Sequence, residues 1–255
     1  MNQPSCMMPL SSPPEKSAFR LRSPLMNYIK PLISAWQNLR AEHLRGKADM
    51  VYNTDMTVEQ TIAEIKRKAL QDRVPIMEDE GLQFLCEFLQ KHQIRTLLEV
   101  GTAVGYSSIM MAFHNPQLKI LTLEQDEERY HQAVENIKRC RLSDRISAVL
   151  TNAREYETEE KFDVIFLDGP KAHNQQLFER FEKNLESKGY FIIDDVWFHG
   201  FIEHPELIRS RRLKPLVEKL DEFVKNMMSN PDYRCSYLKI GDGVLVAARK
   251  EKTDE

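Results

Sequence analysis

The feature that most constrains the fold is an apolar run that ends in two closely spaced glycines. Residues 94–100 are mostly apolar and rich in branched side chains, which is typical of a strand buried on both faces. Gly101 and Gly105 permit a tight turn and a close approach to a ligand. Ser107 opens an apolar helical segment whose first N–H groups are free to bind a polar group. The stretch predicts a strand, a glycine turn and a helix, and alone it is equally consistent with an ordinary βα turn.

The spacing of the two glycines bears on the kind of ligand. G-x-x-x-G differs from the G-x-G-x-x-G pattern of dinucleotide-binding folds. Glu99, an acid at the end of the strand, suits a ligand with positive charge better than it suits a pyrophosphate. The turn therefore favours a cationic ligand over a dinucleotide.

Composition narrows the class of protein further. The chain has 255 residues, of which 42% are hydrophobic and 29% charged, as in a large α/β domain with an appendage. Its formal net charge of −3 gives no bulk attraction to nucleic acid or to a membrane surface. No apolar run approaches the ~18 residues of a membrane span. The four scattered cysteines lack C-x-x-C spacing and indicate buried thiols in a reducing compartment, so we expect a cytoplasmic protein without a membrane partner.

The beginning of the chain differs from the rest. Residues 1–25 are rich in proline and serine and show no apolar periodicity, which predicts a disordered tail. Basic residues outnumber acids as far as Arg40, a composition also found in organelle transit peptides. A third interpretation is that translation starts at Met26.

Two further segments follow the tail. Residues 26–72 are expected to form N-terminal helices, because apolar residues recur at helical spacing over 28–44 and 57–70. Residues 73–250 alternate between strand and helix patterns and end in a hairpin, which predicts a doubly wound α/β sheet of seven strands, mostly parallel with an antiparallel strand. Strands are predicted at 94–100, 119–124, 146–150, 162–167, 190–193, 236–240 and 244–248, and helices at 79–90, 127–140, 175–185 and 213–228.

Carboxylates follow four of the predicted strands. Ligands of an open α/β sheet bind beyond the carboxyl ends of its strands, and acids gathered there are costly unless a cation lies among them. Asp168, Asp194 and Asp195 offer oxygen ligands suited to Mg²⁺ or a similar divalent cation, with a helix cap and a turn as the alternatives. Glu124, at the end of the second strand, suits the hydroxyls of a ribose, with a solvated acid as the alternative.

Taken together, these motifs resemble the class I S-adenosylmethionine-dependent methyltransferases, and specifically the cation-dependent O-methyltransferases related to catechol and caffeoyl-CoA methyltransferases. The resemblance runs from about Arg73 to Arg249 and is carried by residues 98–107, Glu124, Asp168 with Lys171, and Asp194 with Asp195. Within that family, the chain is most similar to the bacterial tRNA 5-hydroxyuridine methyltransferases. The narrower likeness rests on residues 74–77, 211–213, 230–233 and 240–243.

The resemblance implies a set of site residues. It assigns catalysis to Lys171 and Asp168, and a divalent cation, most simply Mg²⁺, to Asp168, Asp194 and Asp195. It also implies a Rossmann-like methyltransferase fold and a homodimer. The residues expected to hold S-adenosylmethionine are Met77, Glu99, Gly101, Thr102, Gly105, Tyr106, Ser107, Glu124, Asn152, Ala153 and Asp168.

The chain departs from the family pattern at two positions. Asp195 stands where the family usually has Asn as its third metal ligand. After the third strand the family often has Gly-Asp-Ala, whereas this chain has Thr151-Asn152-Ala153. An adenine contact at that place must therefore come from the Asn152 amide or be absent.

Two acceptors fit a chelating site that takes adjacent oxygens on a planar ring. The first is 5-hydroxyuridine at the tRNA wobble position, which would give 5-methoxyuridine. The second is a small catechol-like metabolite. His173, Arg211 and Arg212 are the candidate substrate contacts, the two arginines within a basic cluster at 209–214 that favours a phosphate backbone or is simply a solvated helix start. A binding protein that only retains the fold is disfavoured because the metal set is intact.

Overall fold

The computed structural model describes residues 56–251. Over this range the chain alternates between strands and helices, as the sequence predicts. The helices are α1 (Val58–Gln71), α2 (Asp79–Lys91), α3 (Tyr106–His114), α4 (Glu127–Arg139), α5 (Asn174–Phe181) and α6 (Lys214–Ser229). The strands are β1 (Thr96–Val100), β2 (Lys119–Glu124), β3 (Ile146–Leu150), β4 (Phe162–Leu167), β5 (Leu185–Ile193), β6 (Tyr233–Leu238) and β7 (Val244–Arg249).

The strands form one sheet in the order β3-β2-β1-β4-β5-β7-β6. Strands β1 to β5 pair in parallel, whereas β7 is antiparallel to β5 and to β6. The predicted seven-stranded, mostly parallel sheet is confirmed. The strand order reverses between β1 and β4, and a crevice opens beyond their carboxyl ends at such a reversal.

The sheet is buried on both faces. Successive side chains of a strand point to opposite faces, so Leu97 belongs to one core cluster and Leu98 to the other. The first cluster includes apolar residues of α1, α2 and α3, and the second those of α5 and α6. This burial explains the near-continuous apolar runs of the central strands.

Three predicted elements have wrong boundaries. The helix predicted over 175–185 ends at Phe181, and Leu185 already begins β5, which is longer than the predicted 190–193. The side chain of Asn184 donates hydrogen bonds to the carbonyl groups of Thr158 and Glu160, in the loop between β3 and β4, and fixes the chain at this point. The strand predicted over 236–240 instead spans Tyr233–Leu238, because its register with β7 begins at Tyr233.

Some predictions concern residues that the structure does not describe. The disordered tail at 1–25 and the helix at 28–44 lie outside the described residues, whereas the helix predicted at 57–70 is α1. Thr57 caps α1: its hydroxyl accepts from the Gln60 N–H, and the Gln60 side chain accepts from the Thr57 N–H. Between residues 56 and 251, no helix has the length and apolar character needed to cross a membrane.

Candidate cofactor and metal site

The glycine turn joins β1 to α3. Gly101 and Gly105 both have positive φ angles, 106° and 82°, where glycine is favoured over other residues. A Cβ atom on Gly101 would lie 2.5 Å from the carbonyl oxygen of Asp168, whereas one on Gly105 would meet Ala133 at 3.4 Å. Gly101 is therefore required for the close approach of the turn to the end of β4.

Glu99 lies fully buried behind the turn. The hydroxyls of Ser107 and Thr122 donate to its carboxylate, each at 2.6 Å, and the Ser108 hydroxyl donates to it as well. Burial raises the pKa of Glu99 to about 7, although these hydroxyls oppose the rise. The carboxylate thus ties β1 to the start of α3 and to β2, and it does not line the cavity described below.

This burial predicts a pH-dependent contribution of Glu99 to stability. Its folded-state pKa of about 7 lies above the ordinary 4.5, so the contribution is full below pH 4.5 and is lost as the pH rises through 7. We expect Glu99→Gln to reduce the fall in the free energy of unfolding between pH 5 and pH 8 by about 2 kcal/mol. Urea unfolding of both proteins at the two pH values measures this. Equal falls in both proteins would contradict it.

Glu124, at the end of β2, is held by the backbone around it. The N–H of Ala103 donates to one carboxylate oxygen at 2.8 Å, and those of Gln125 and Asp126 donate to the other at 2.9 Å. The first oxygen has one donor and so retains the capacity to accept another hydrogen bond. Glu124 is thus fixed at the mouth of the turn with an acceptor left for a ligand.

An acidic cluster lies at the ends of β4 and β5. Carboxylate oxygens of Asp168, Asp194 and Asp195 all lie within 4.8 Å of one another. Nζ of Lys171 lies 3.1 Å from Asp168 Oδ1 and 3.0 Å from Asp195 Oδ2. Three carboxylates thus face one ammonium, and a donor set made only of oxygens fits a hard divalent cation.

The pKa values of the cluster reflect burial and like charge. Burial raises the pKa of Asp194 to about 8, with the charges of Asp168 and Asp195 adding to the rise. Burial also raises the pKa of Asp168, which Lys171 opposes. Burial disfavours the charge on Lys171, but the surrounding carboxylates outweigh it and raise its pKa. When all three carboxylates are ionised, the cluster therefore carries a net negative charge despite Lys171.

A cavity of about 380 Å³ opens between the glycine turn, the ends of β2 and β3, and the segment at 169–173. This volume is within the range of about 300–1,000 Å³ typical of small-molecule sites. The structure brings seven of the predicted site residues to its wall. They are Gly101, Glu124, Asn152, Ala153, Lys171, His173 and Asp195.

The other predicted site residues lie outside the wall of this cavity. Most are buried beside it: the Thr102 hydroxyl is 2.6 Å from that of Thr122, and Tyr106 packs in the core. Met77 is also buried and lies against Gly81. Arg211 and Arg212 are exposed just before α6. The remaining predicted site residues outside the cavity wall are Glu99, Gly105, Ser107, Asp168 and Asp194.

Several residues of the cavity wall were not predicted from the sequence. Arg129 lies in the first turn of α4, one turn beyond Glu124, and Arg154 follows Asn152 by two residues. Both occupy positions just after strand ends, where the same reasoning would have found them. The other missed residues include Pro75, Gln125 and Leu177.

A second cavity, of about 440 Å³, lies between α1 and α4. It is larger than the first, but none of the predicted site residues lines it. Its position away from the strand ends separates it from the acidic cluster. The smaller cavity is therefore the candidate site.

Comparison with known proteins identifies the family to which this chain belongs. The family model described as O-methyltransferase matches residues 52–250. A flavonoid 3',5'-methyltransferase of Vitis vinifera is 27% identical over 204 residues, which cover 75% of this chain and 84% of that protein. A catechol O-methyltransferase of Mycobacterium tuberculosis is 27% identical over 128 residues, which cover 49% of this chain and 58% of that protein.

A solved structure agrees with these matches. It is an O-methyltransferase from Bacillus cereus in complex with SAH, with a TM-score of 0.65 and 27% identity, covering 74% of this chain and 90% of that one. The family match spans the whole sheet and every residue of the cavity and of the acidic cluster. The chain therefore belongs to the O-methyltransferase family.

Proposed function

We propose that this protein transfers the methyl group of S-adenosylmethionine to the 5-hydroxyl of 5-hydroxyuridine at the tRNA wobble position, with the help of a divalent cation. The observation that carries the proposal is the acidic cluster of Asp168, Asp194 and Asp195, with Lys171 against it, at the edge of the cavity. A cluster of this kind suits an acceptor with two adjacent oxygens.

The cavity supports S-adenosylmethionine as the methyl donor. Glu124 offers an acceptor for a ribose hydroxyl, and Asn152 and Ala153 lie where an adenine would be held. The Bacillus cereus relative was solved in complex with SAH. The Asn152 amide donates to Glu155 at 3.0 Å through one N–H group, and its second N–H group could donate to adenine.

The residues of the chain have separate roles in this proposal. A bound divalent cation, held by the acidic cluster, would lower the pKa of the acceptor hydroxyl. Lys171 lies on the cavity wall beside the cluster, and we assign it to assist deprotonation of the hydroxyl or to stabilise the oxyanion. In this proposal the cavity walls would hold donor and acceptor in line, because such alignment supplies much of the rate enhancement in transfers of this kind.

The acceptor is proposed from two features. The 5-hydroxyl and the 4-carbonyl of 5-hydroxyuridine are adjacent oxygens on a planar ring, as the cluster requires. Arg209, Arg211, Arg212 and Lys214 are not buried and form no ion pair within the described residues. Such a cluster suits the phosphates of an RNA backbone, which position a nucleic acid without reading its sequence.

A small catechol-like acceptor is the second candidate. Two relatives favour it, because one is a flavonoid 3',5'-methyltransferase and another a catechol O-methyltransferase. The net charge of −3 also favours a small molecule over RNA. Both acceptors would use the same cation and the same methyl donor.

Mass spectrometry of tRNA nucleosides from a strain that lacks this protein separates the two candidates. The proposal predicts that 5-methoxyuridine disappears and 5-hydroxyuridine accumulates, and that the intact gene restores the wild-type pattern. An unchanged level of 5-methoxyuridine would overturn the RNA acceptor and leave the small molecule.

The third acid of the cluster gives a specific prediction. Asp195 has a φ angle of 55°, in the left-handed region where asparagine is several-fold enriched among non-glycine residues. We expect Asp195→Asn to keep the rate within about threefold, because it preserves an oxygen ligand and suits the backbone. Asp195→Ala, which removes the ligand, should lower the rate at least about tenfold.

Initial rates over a Mg²⁺ titration provide the measurement for both variants. Since Asn carries no charge, the Asn variant should need more Mg²⁺ for half-maximal rate. Equal impairment of the Asn and Ala variants at saturating Mg²⁺ would contradict the assignment of Asp195 as a ligand.

A further inference from the structure

The mouth of the cavity carries positive charge that the methyl donor does not explain. Arg129, Arg154 and His173 line the cavity, from three separate parts of the chain. Lys219 approaches His173 from α6, the helix that packs against the turn at 171–173. We call these four residues the cationic rim.

The cationic rim lacks acidic partners. Within residues 56–251, the side chains of Arg129, Arg154 and Lys219 form no ion pair, and the guanidinium of Arg154 donates a hydrogen bond to the side-chain Oδ1 of Asn152 at 3.4 Å. The two acidic residues on the cavity wall already have hydrogen-bond or ion-pair partners outside the rim. They are Glu124, which accepts from three backbone N–H groups, and Asp195, which is paired with Lys171.

His173 also lies in surroundings with an excess of positive charge. Burial lowers the pKa of His173, and the nearby charges of Arg154 and Lys219 lower it further. No acid contributes to this shift. The charged groups that act on His173 are therefore all basic.

S-adenosylmethionine does not balance the charge of the rim. It carries a sulfonium, an ammonium and one carboxylate, so its net charge is positive, and it has no phosphate. Its one carboxylate could neutralise one guanidinium group at most and would leave the rest of the rim unpaired. The remaining anions would come from the other substrate.

We propose that the cationic rim binds phosphates of the acceptor RNA and extends the basic cluster at 209–214 to the mouth of the cavity. This inference rests on the proposed function. Lys219 lies five residues beyond Lys214 on the same helix, about 7.5 Å along its axis, so the positive charge continues from the surface cluster towards the cavity. Arginine and lysine are the usual partners of phosphate oxygens.

This arrangement suits an unpaired loop nucleotide. A base that undergoes chemistry must leave its stack and enter the active site, while its flanking phosphates stay outside. Arg129, Arg154 and His173 line the cavity without being buried, whereas Asp194 of the acidic cluster is buried. Phosphates would bind at the rim and the reacting ring at the cluster.

The double variant Arg154→Ala with Lys219→Ala tests the rim. The probe is a fluorescein-labelled tRNA anticodon stem-loop, and its dissociation constant is measured by anisotropy over a series of salt concentrations. We expect binding to weaken by at least about tenfold and the slope of log Kd against log salt to fall by about 1 to 2. Arg211→Ala with Arg212→Ala should have an effect of similar size.

The matched control is Lys119→Ala with Lys138→Ala, which removes two exposed lysines elsewhere on the surface, one of them at the opposite end of β2. It changes the net charge equally and should leave the dissociation constant within about twofold. Circular dichroism confirms that each variant is folded, and calorimetry measures its binding of S-adenosylmethionine. A loss of S-adenosylmethionine binding as large as the loss of RNA binding would assign the rim to the methyl donor and overturn the proposal.

Two further outcomes are distinguishable. If the wild-type protein binds the RNA and the Arg154/Lys219 variant binds it like the control, the rim proposal fails while the proposed function stands. If the wild-type protein binds no RNA and methylates a catechol, the RNA acceptor fails and the rim proposal fails with it.

Discussion

Replacing Asp168 with alanine is expected to lower the rate of methyl transfer at least about 100-fold. The change removes one of three clustered carboxylates and leaves Lys171 with Asp195 as its only ion-pair partner within the described residues. The cluster would then hold a divalent cation more weakly, and Lys171 would no longer be fixed from two sides. Initial rates of the purified variant, with saturating S-adenosylmethionine and Mg²⁺, measure the effect.

Asp144→Ala is the matched control for this prediction, because Asp144 is an exposed acid that precedes β3 and lies outside the site. It should keep the wild-type rate. EDTA should abolish the activity of the wild-type protein, and added Mg²⁺ should restore it. A normal rate for Asp168→Ala, or activity that persists in EDTA, would contradict the cation assignment.

Gly101→Ala is expected to cause the largest structural effect. The new Cβ would lie 2.5 Å from the carbonyl oxygen of Asp168, and the φ angle of 106° disfavours any side chain. The three nearest atoms all belong to the backbone of Asp168 and Gly169, so no flexible side chain could move aside. We expect a loss of about 3 kcal/mol in the free energy of unfolding, together with loss of measurable S-adenosylmethionine binding.

Gly105→Ala serves as the comparison, since its φ angle of 82° is also positive but its new Cβ would meet Ala133 at an ordinary 3.4 Å. It should lose about 1 kcal/mol. Urea unfolding and calorimetry measure both variants. Equal losses at the two positions would show that the close approach of the glycine turn to β4 is not what requires Gly101.

Local sequence patterns predicted the central sheet well. Residues 94–100 and 162–167 are short apolar runs followed by turn residues or an acid, and they contain the strands Thr96–Val100 and Phe162–Leu167, which are buried on two faces. The positive φ angles at Gly101 and Gly105 follow from the same local pattern. Asp168 and Asp195 lie together because parallel strands present their carboxyl ends at one edge.

Other features depend on tertiary contacts that a single sequence does not reveal. The sequence suggested that Glu99 faces a cationic ligand, yet three hydroxyls from α3 and β2 occupy its carboxylate. Direct contact between Glu99 and a methyl donor stays a prediction. The homodimer also stays a prediction. The end of α5 depends on hydrogen bonds from the Asn184 side chain to a loop that is distant in sequence. Helical periodicity contains no information about such bonds. Arg129 and Arg154 follow strand ends in the sequence, but only the folded structure shows that they line the same cavity as His173.

The most direct test is transfer of a radiolabelled methyl group from S-adenosylmethionine to tRNA that contains 5-hydroxyuridine, with a simple catechol assayed in parallel. Purified protein and Mg²⁺ should label the tRNA, produce 5-methoxyuridine, and stop when EDTA is added. Labelling of the catechol alone, or labelling of tRNA that EDTA does not affect, would contradict the account.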